Sequence, residues 1–217
     1  MPKVSAPLLS FSASGQIAKS QVYSTWKGIP YVRRYAVPAN PKTTKQMNNR
    51  GIWSMISQSW LFAPAAIQAA FNAYAVGKPL TGRNKFVSEN QKLLAVQPTP
   101  EDITGYVMSP GNGGALPATS LIVTPGADTL TLTATIPDAP AGWTLTKVWG
   151  AALPNQDPTD AFQGPWTVVS DDTAPYSVAL TGLTVVGEYA VGLWIEWVKP
   201  DGSTAYSRAL TGVGTPS

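Results

Sequence analysis

The sequence predicts two kinds of structure in one chain: an α+β first segment, made of a β-hairpin plus about three short helices, and an all-β sandwich after it. Three observations predict this. Apolar residues recur at helical spacing between residues 53 and 94 and alternate at strand spacing beyond residue 120. Gly and Pro, 19 and 20 of the 217 residues, cluster between the apolar runs as turn punctuation. The charge also divides. Up to residue 98, twelve Lys or Arg stand against one acid, Glu89; from residue 99 on, three stand against eleven acids. A boundary this sharp predicts units with different partners. The expected organisation is an extended arm over 1–14, a basic docking domain over 15–98, a Gly/Pro linker over 99–117 and an acidic sandwich over 118–217.

The arm carries Pro2 and Pro7 in a broken apolar run, so it reads as extended chain rather than as a signal peptide. Residues 15–37 read as a hairpin with arms 16–26 and 29–37 and its turn at Lys27-Gly28. Tyr31, Val32 and Tyr35 suit a pleated surface. Two strands alone are marginal in water, so the hairpin must lie on helices or on another chain. Arg33 and Arg34 point to opposite faces, which lets one of them reach a partner. Pro38 and Pro41 then hold the chain extended.

Thr43 or Thr44 caps the first helix, in which Trp53, Ile56 and Trp60 form the apolar stripe. Gly51 weakens that helix by ~1 kcal/mol relative to Ala. Pro64 opens a second helix striped by Ile67, Ala70, Phe71 and Tyr74, and Gly77 and Pro79 end it. A third helix runs over 82–96 with Phe86, Asn90, Leu93 and Leu94. These stripes read first as core and second as a partner interface. The most apolar stretch, 60–76, is interrupted by Pro64, Gln68 and Asn72, and no membrane span is expected where ~20 predominantly apolar residues are needed.

Taken in order, Ser14-Gly15-Gln16-Ile17, Trp26-Lys27-Gly28, Tyr31-Val32-Arg33, Pro38, Asn40-Pro41-Lys42-Thr43, Gln46, Asn49-Arg50, Trp60 and Gly82-Arg83-Asn84-Lys85-Phe86 with Asn90 form one pattern. It resembles a family of uncharacterised virion proteins of tailed phages and prophages, over residues 14–94. The resemblance implies a particle component and brings no catalytic residue with it.

Residues 109–114 read as a flexible joint; the Lys and Ser/Thr of a phosphate-binding loop do not follow them. Beyond it, strands are expected at 120–124, 129–136, 144–152, 166–169, 176–180, 189–198 and 204–210. Leu130, Leu132, Ala134 and Ile136 alternate with Thr131, Thr133 and Thr135, the mark of a half-buried strand. Gly182-Leu183, Gly187-Glu188-Tyr189, the alternation Val191, Leu193, Ile195, Trp197, and then Pro200-Asp201-Gly202 resemble the E–F corner and F–G hairpin of an immunoglobulin-like/fibronectin type III sandwich. The resemblance implies that Tyr189 is the corner tyrosine and that Trp143 or Trp149 fills the core. Trp166, Trp194 and Tyr206 read first as core and alternatively as a sugar-stacking patch, by which the sandwich would bind carbohydrate or a host surface.

With no Cys and no His, thiol nucleophiles, imidazole bases and Cys/His zinc sites are ruled out. No Gly-x-Ser-x-Gly elbow is present. Asp171-Asp172 lack the remainder of a calcium loop, and Asp157 and Asp160 read as a turn. No catalytic, cofactor or metal residue is assigned, and the protein is not expected to be an enzyme. The expectation is a bacteriophage virion structural protein, assembled in the host cytoplasm and carried in the virion. Its leading form is a head decoration or capsid-stabilising protein. It would dock on the major capsid protein by its basic part, in multivalent or homo-oligomeric array. The docking residues are Trp26, Tyr31, Arg33, Arg34, Tyr35, Lys42, Lys45 and Arg50; Gly28, Pro41 and Tyr189 are structural. One alternative places the protein at the tail or head–tail junction. Another uses the Lys and Arg interleaved with Trp and Tyr to bind nucleic acid.

Overall fold

The computed structural model describes residues 14–37, 39–95, 105–154, 166–184 and 187–217, and the chain divides into two units, Met1–Lys42 and Thr43–Ser217. Pro38, Asp157, Asp160 and nearly all of the expected arm lie outside the described residues.

The first unit holds an antiparallel sheet of β1 (Gly15–Ile17), β2 (Gln21–Trp26) and β3 (Ile29–Arg34), in that order. The single long arm expected over 16–26 is therefore corrected to two strands. Ala18 and Lys19 take φ of 45° and 52°, and the Ser20 N–H returns to the Ile17 carbonyl at 2.9 Å. Two consecutive left-handed residues make a reversal whose twist matches the flanking strands. Lys27 and Gly28, at φ 50° and 78°, repeat the device between β2 and β3. None of the described residues of this unit is buried.

The second unit begins with α1 (Thr44–Leu61), α2 (Ala65–Ala75) and α3 (Gly82–Ala95). The Thr43 hydroxyl caps α1, accepting the Gln46 N–H at 3.4 Å. The buried side of α1 is Ile52, Met55, Ile56 and Ser59, so the expected stripe is corrected by a rotation: Trp53 remains 48% exposed. Ile67, Ala70 and Phe71 are buried on α2, and Phe86, Val87, Asn90 and Leu94 on α3. Gly82 lets α3 start hard against α2, because a Cβ there would strike the Asn72 side chain and lie 2.9 Å from its backbone nitrogen. Trp60, Phe71 and Phe86 meet with ring centroids 5.1–6.1 Å apart.

Eight strands follow: β4 (Ser120–Gly126), β5 (Thr129–Thr135), β6 (Thr144–Pro154), β7 (Thr167–Asp171), β8 (Ser177–Thr181), β9 (Tyr189–Val198), β10 (Thr204–Tyr206) and β11 (Leu210–Gly214). They form two antiparallel sheets, β4-β5-β8 and β10-β9-β6-β7, with β11 also paired to β9. The single last strand expected at 204–210 is split. Between β10 and β11, the Ser207 hydroxyl accepts the Ile195 N–H and Pro110 bridges to Arg208. Leu130, Leu132, Val148, Val178, Leu180, Val191, Leu193, Ile195 and Trp197 fill the space between the sheets.

The outer face of the larger sheet is also covered. Ala151, Leu153, Ala190 and Trp194 share one core with Ile56, Ile67, Phe71 and Phe86 of the helices, and the Trp166 indole N–H donates to the Ser59 carbonyl at 2.9 Å. The unit thus has three layers: helices, larger sheet, smaller sheet. This corrects the expected boundary between a docking domain at 15–98 and a separate sandwich at 118–217. The cause lies in β9, where Tyr189 to Ile195 are all buried: a strand apolar on both faces needs cover on both.

The expected linker over 99–117 is corrected over part of its length, although Gly113 and Gly114 of the joint at 109–114 are exposed. Gly105 to Ser109 are buried, not free. The Asn90 side chain grips this stretch, accepting the Val107 N–H at 2.7 Å and donating to the Val107 carbonyl at 3.2 Å. Ser109 donates to the Ser207 carbonyl at 2.6 Å, and Asn112 exchanges two bonds with Tyr206. A polar chain segment buried this deeply must have its backbone groups satisfied, and Asn90 does so as a strand neighbour would.

Candidate docking surface

In the first unit the register decides which side chains share a face. Val22 pairs with Arg33, Ser24 with Tyr31 and Trp26 with Ile29, so these six line one side; Gln21, Tyr23, Val32 and Arg34 line the other. Trp26 is 64% exposed, with the Lys27 ammonium 5.0 Å from its ring centroid. Ile29 is also exposed, and Tyr31 is half-buried beside the exposed Arg33. Residues 14–42 carry Lys19, Lys27, Arg33, Arg34 and Lys42 and no acid. Such a sheet has no core of its own, and small sheets are stable only when an apolar face is packed against something.

One edge is open in a definite pattern. The two-residue reversal makes Trp26 and Ile29 a hydrogen-bonded pair, so Tyr31 and Arg33 also bond inward; the Tyr35 N–H continues the series, donating to the Ser20 carbonyl at 2.8 Å. The backbone groups of Pro30, Val32 and Arg34 therefore turn outward. Pro30 contributes no N–H there, which leaves two donors for an added strand.

The structure divides the predicted docking residues. Trp26, Tyr31 and Arg33 share a face, Arg34 is on the opposite one, and Tyr35 follows β3 half-buried. Gly28 supplies its turn, and Pro41 stands exposed before Lys42, which takes φ 49°. Lys45 and Arg50 belong to the second unit, exposed on α1.

The helices of the second unit concentrate cations around few carboxylates. Lys78 and Lys85 stand 3.2 and 4.4 Å from the Tyr74 ring centroid, and Lys85 together with Lys78 draws the phenol below its usual range. Burial pushes the Glu89 carboxyl up. Against this, Lys85 at 2.7 Å, with Lys92 and Arg208 each at 3.9 Å, holds it below the usual range on balance. The lone acid of the basic half thus meets a base of the acidic half.

The helices also leave a groove of about 680 Å³ between α1 and α3, lined by Trp53, Val87, Gln91, Arg83 and Lys92. The Trp53 indole N–H donates to Gln91 Oε1 at 3.0 Å. Sequence reading assigned Trp53 to the core. The better signal was the competing run Ile52, Met55, Ile56, Ser59, which places Trp53 at the margin.

In the sandwich, the Tyr189 hydroxyl meets Thr184, accepting its N–H at 3.0 Å and lying 2.8 Å from its hydroxyl. Trp143 is half-buried against the inter-sheet core, whereas Trp149 lies on the outer face, stacked on Trp194 with centroids 6.3 Å apart. The sugar-stacking reading is corrected: Trp166 and Trp194 are buried beneath the helices, and Tyr206 is half-buried among them. Asp171 accepts the N–H groups of Ser177 and Thr173 at 2.8 and 3.0 Å, and these donors hold its carboxyl below the usual range. Both oxygens serve the turn between β7 and β8. Among the described residues, no three His, Cys, Asp or Glu gather as a metal site, and no helix is long and apolar enough to cross a membrane.

No protein-family model matches the chain, and no curated protein matches it by sequence. Among solved structures, the fn3 domain of the human collagen alpha-1(XX) chain is similar over 50% of this chain and 91% of that one, at 23% identity and a TM-score of 0.37. A computationally redesigned β-sandwich protein is similar over 48% and 91%, at 19% identity and a TM-score of 0.34. A myokine structure is similar over 48% and 100%, at 15% identity and a TM-score of 0.36.

Proposed function

We propose that the protein is a structural component of a tailed-phage virion, a head decoration or capsid-stabilising protein that docks by its first unit and displays its second. The observation that carries this reading is one sheet face: Trp26, Ile29, Tyr31 and Arg33 share it, in a stretch, 14–42, with five cations, no acid and no buried described residue. Covering a large apolar side chain is worth ~1.5–3 kcal/mol, so three of them supply several. The cations select an acidic surface, and the Val32 and Arg34 edge accepts a strand of the partner.

The displayed sandwich is read as a fibronectin type III-like module. Its β4-β5-β8 and β7-β6-β9-β10 orders correspond to strands A-B-E and C′-C-F-G of such modules, and the Tyr189–Thr184 bonds occupy the place of the tyrosine corner. Repetition on a symmetric shell would multiply any weak outward contact.

The test is co-sedimentation with particles that lack the protein. Full-length chain is expected to pellet with them; a chain beginning at residue 43 is expected to stay in the supernatant while remaining folded. Arg33→Glu with Arg34→Glu should weaken pelleting. Undiminished pelleting of the shortened chain would refute the docking role. Bound copies arranged in a ring at the tail, rather than over the shell, would move the protein to the tail or head–tail junction.

A further inference from the structure

We propose that the α1–α3 groove is a second, separate binding site, which captures a partner segment bearing an apolar side chain next to a carboxylate. It lies wholly within the second unit and does not depend on how the first unit docks. The walls carry the argument. Trp53 stays about half exposed although its helix buries Ile52, Met55 and Ile56 one step away. Its indole N–H is fixed on Gln91, so the exposed ring is held in place before any ligand arrives. A preset aromatic wall spares the ordering cost that weakens binding to mobile side chains. Val87, 7% exposed, lines the groove beside it. The volume of about 680 Å³ falls within the ~300–1,000 Å³ of ordinary ligand clefts, room for a short peptide stretch.

Charge then selects the ligand. No acid lines the groove, while Arg83 and Lys92 do. Lys92 is already shared with Glu89 at 3.9 Å; Arg83 has no ion-pair partner among the described residues. One available guanidinium beside an apolar wall matches one carboxylate beside an apolar side chain, since guanidinium binds carboxylate in a two-pronged, planar fit. Single-stranded nucleic acid is the competing ligand, because an exposed Trp can stack on a base. Its affinity, however, grows with the number of phosphates neutralised, and one full cation with one shared cation is too few to track a backbone. Asn84, Ser88 and Gln91 along α3 offer amide and hydroxyl groups to the bound main chain.

The experiment presents the full-length chain with two immobilised hexapeptide libraries and with the oligonucleotide dT10. One library holds an aromatic or aliphatic residue beside Asp or Glu; the other replaces each acid by its amide. Retention on the acidic library is expected, with an Arg83→Gln variant of unchanged melting temperature losing about ten-fold in affinity and Trp53→Ala losing at least as much. The amide library should be bound about as weakly by the parent as the acidic one is by Arg83→Gln. Equal retention on both libraries, retention on neither, or saturable binding of dT10 at physiological salt that Arg83→Gln abolishes would each overturn the proposal.

Discussion

Replacing Asn90 by Leu changes the side chain's bonding far more than its size. The amide makes three bonds in a fully buried position: to the Phe86 carbonyl at 3.0 Å, and to both the N–H and the carbonyl of Val107. Phe86 is in a helix, so its carbonyl retains its regular partner. Val107 is different, because its N–H and its carbonyl are both bonded to the Asn90 amide. Each unsatisfied buried group costs ~1–3 kcal/mol, so two would cost ~2–6 kcal/mol, and the apolar replacement recovers part of this. The expected net loss is ~3 kcal/mol, a large share of the ~5–15 kcal/mol that holds an ordinary domain together. Urea unfolding followed by tryptophan fluorescence measures the loss, and amide exchange at Val107 localises it. Asn90→Asp refines the point: its protonated form can donate as the amide does, so its deficit should shrink as the pH falls. A loss below ~0.5 kcal/mol for Asn90→Leu, with exchange at Val107 unaltered, would refute the view that Asn90 stands in for a missing strand.

Three further outcomes are expected. A chain beginning at residue 43 should melt as the second unit does in the full protein, whereas one beginning at residue 115 should bind hydrophobic dyes and aggregate, because Ala151, Leu153, Trp166 and Trp194 lose their cover. Glu89→Gln should flatten the acid limb of the stability curve. The Glu89 pKa is depressed on folding, so its contribution is present above the ordinary carboxylate pKa and disappears as the pH falls through the lower folded value; urea midpoints of the two proteins should converge in acid and separate near neutrality. Tyr189→Phe removes the partner of the Thr184 N–H and hydroxyl and should cost ~1 kcal/mol in denaturant unfolding, with the sheets otherwise intact.

Local chemistry was legible in the residues, and long-range packing was not. The Thr43 cap, the Lys27-Gly28 reversal and the placement of β4 to β9 each follow from a few neighbouring side chains. The reversal at Ala18-Lys19 was hidden because neither residue advertises a left-handed backbone. The burial of 105–109 was hidden because a glycine- and proline-bearing stretch after a helix looks like a tether; only the partners Asn90, Ser207 and Arg208, distant in sequence, make it a packed element. The union of helices and sandwich did leave a trace, the unbroken apolar run 189–195, where a strand open to water on one face would alternate. The charge boundary near residue 98 pulled the other way, and it proved to mark composition rather than a break in packing.

The position of β9 in the chain has a consequence for biogenesis. This strand touches the helical layer with one face and the inter-sheet core with the other, yet it begins 94 residues after α3 ends. At roughly 5–20 residues per second, α1 to α3 are polymerised some 5–20 s before Trp194. Throughout that interval Phe71, Phe86 and Ile67 lack Ala190 and Trp194, which share their core. The nascent protein is therefore at its stickiest before β9 is made, and the pairing of that strand with β6 completes the cover of both layers at once.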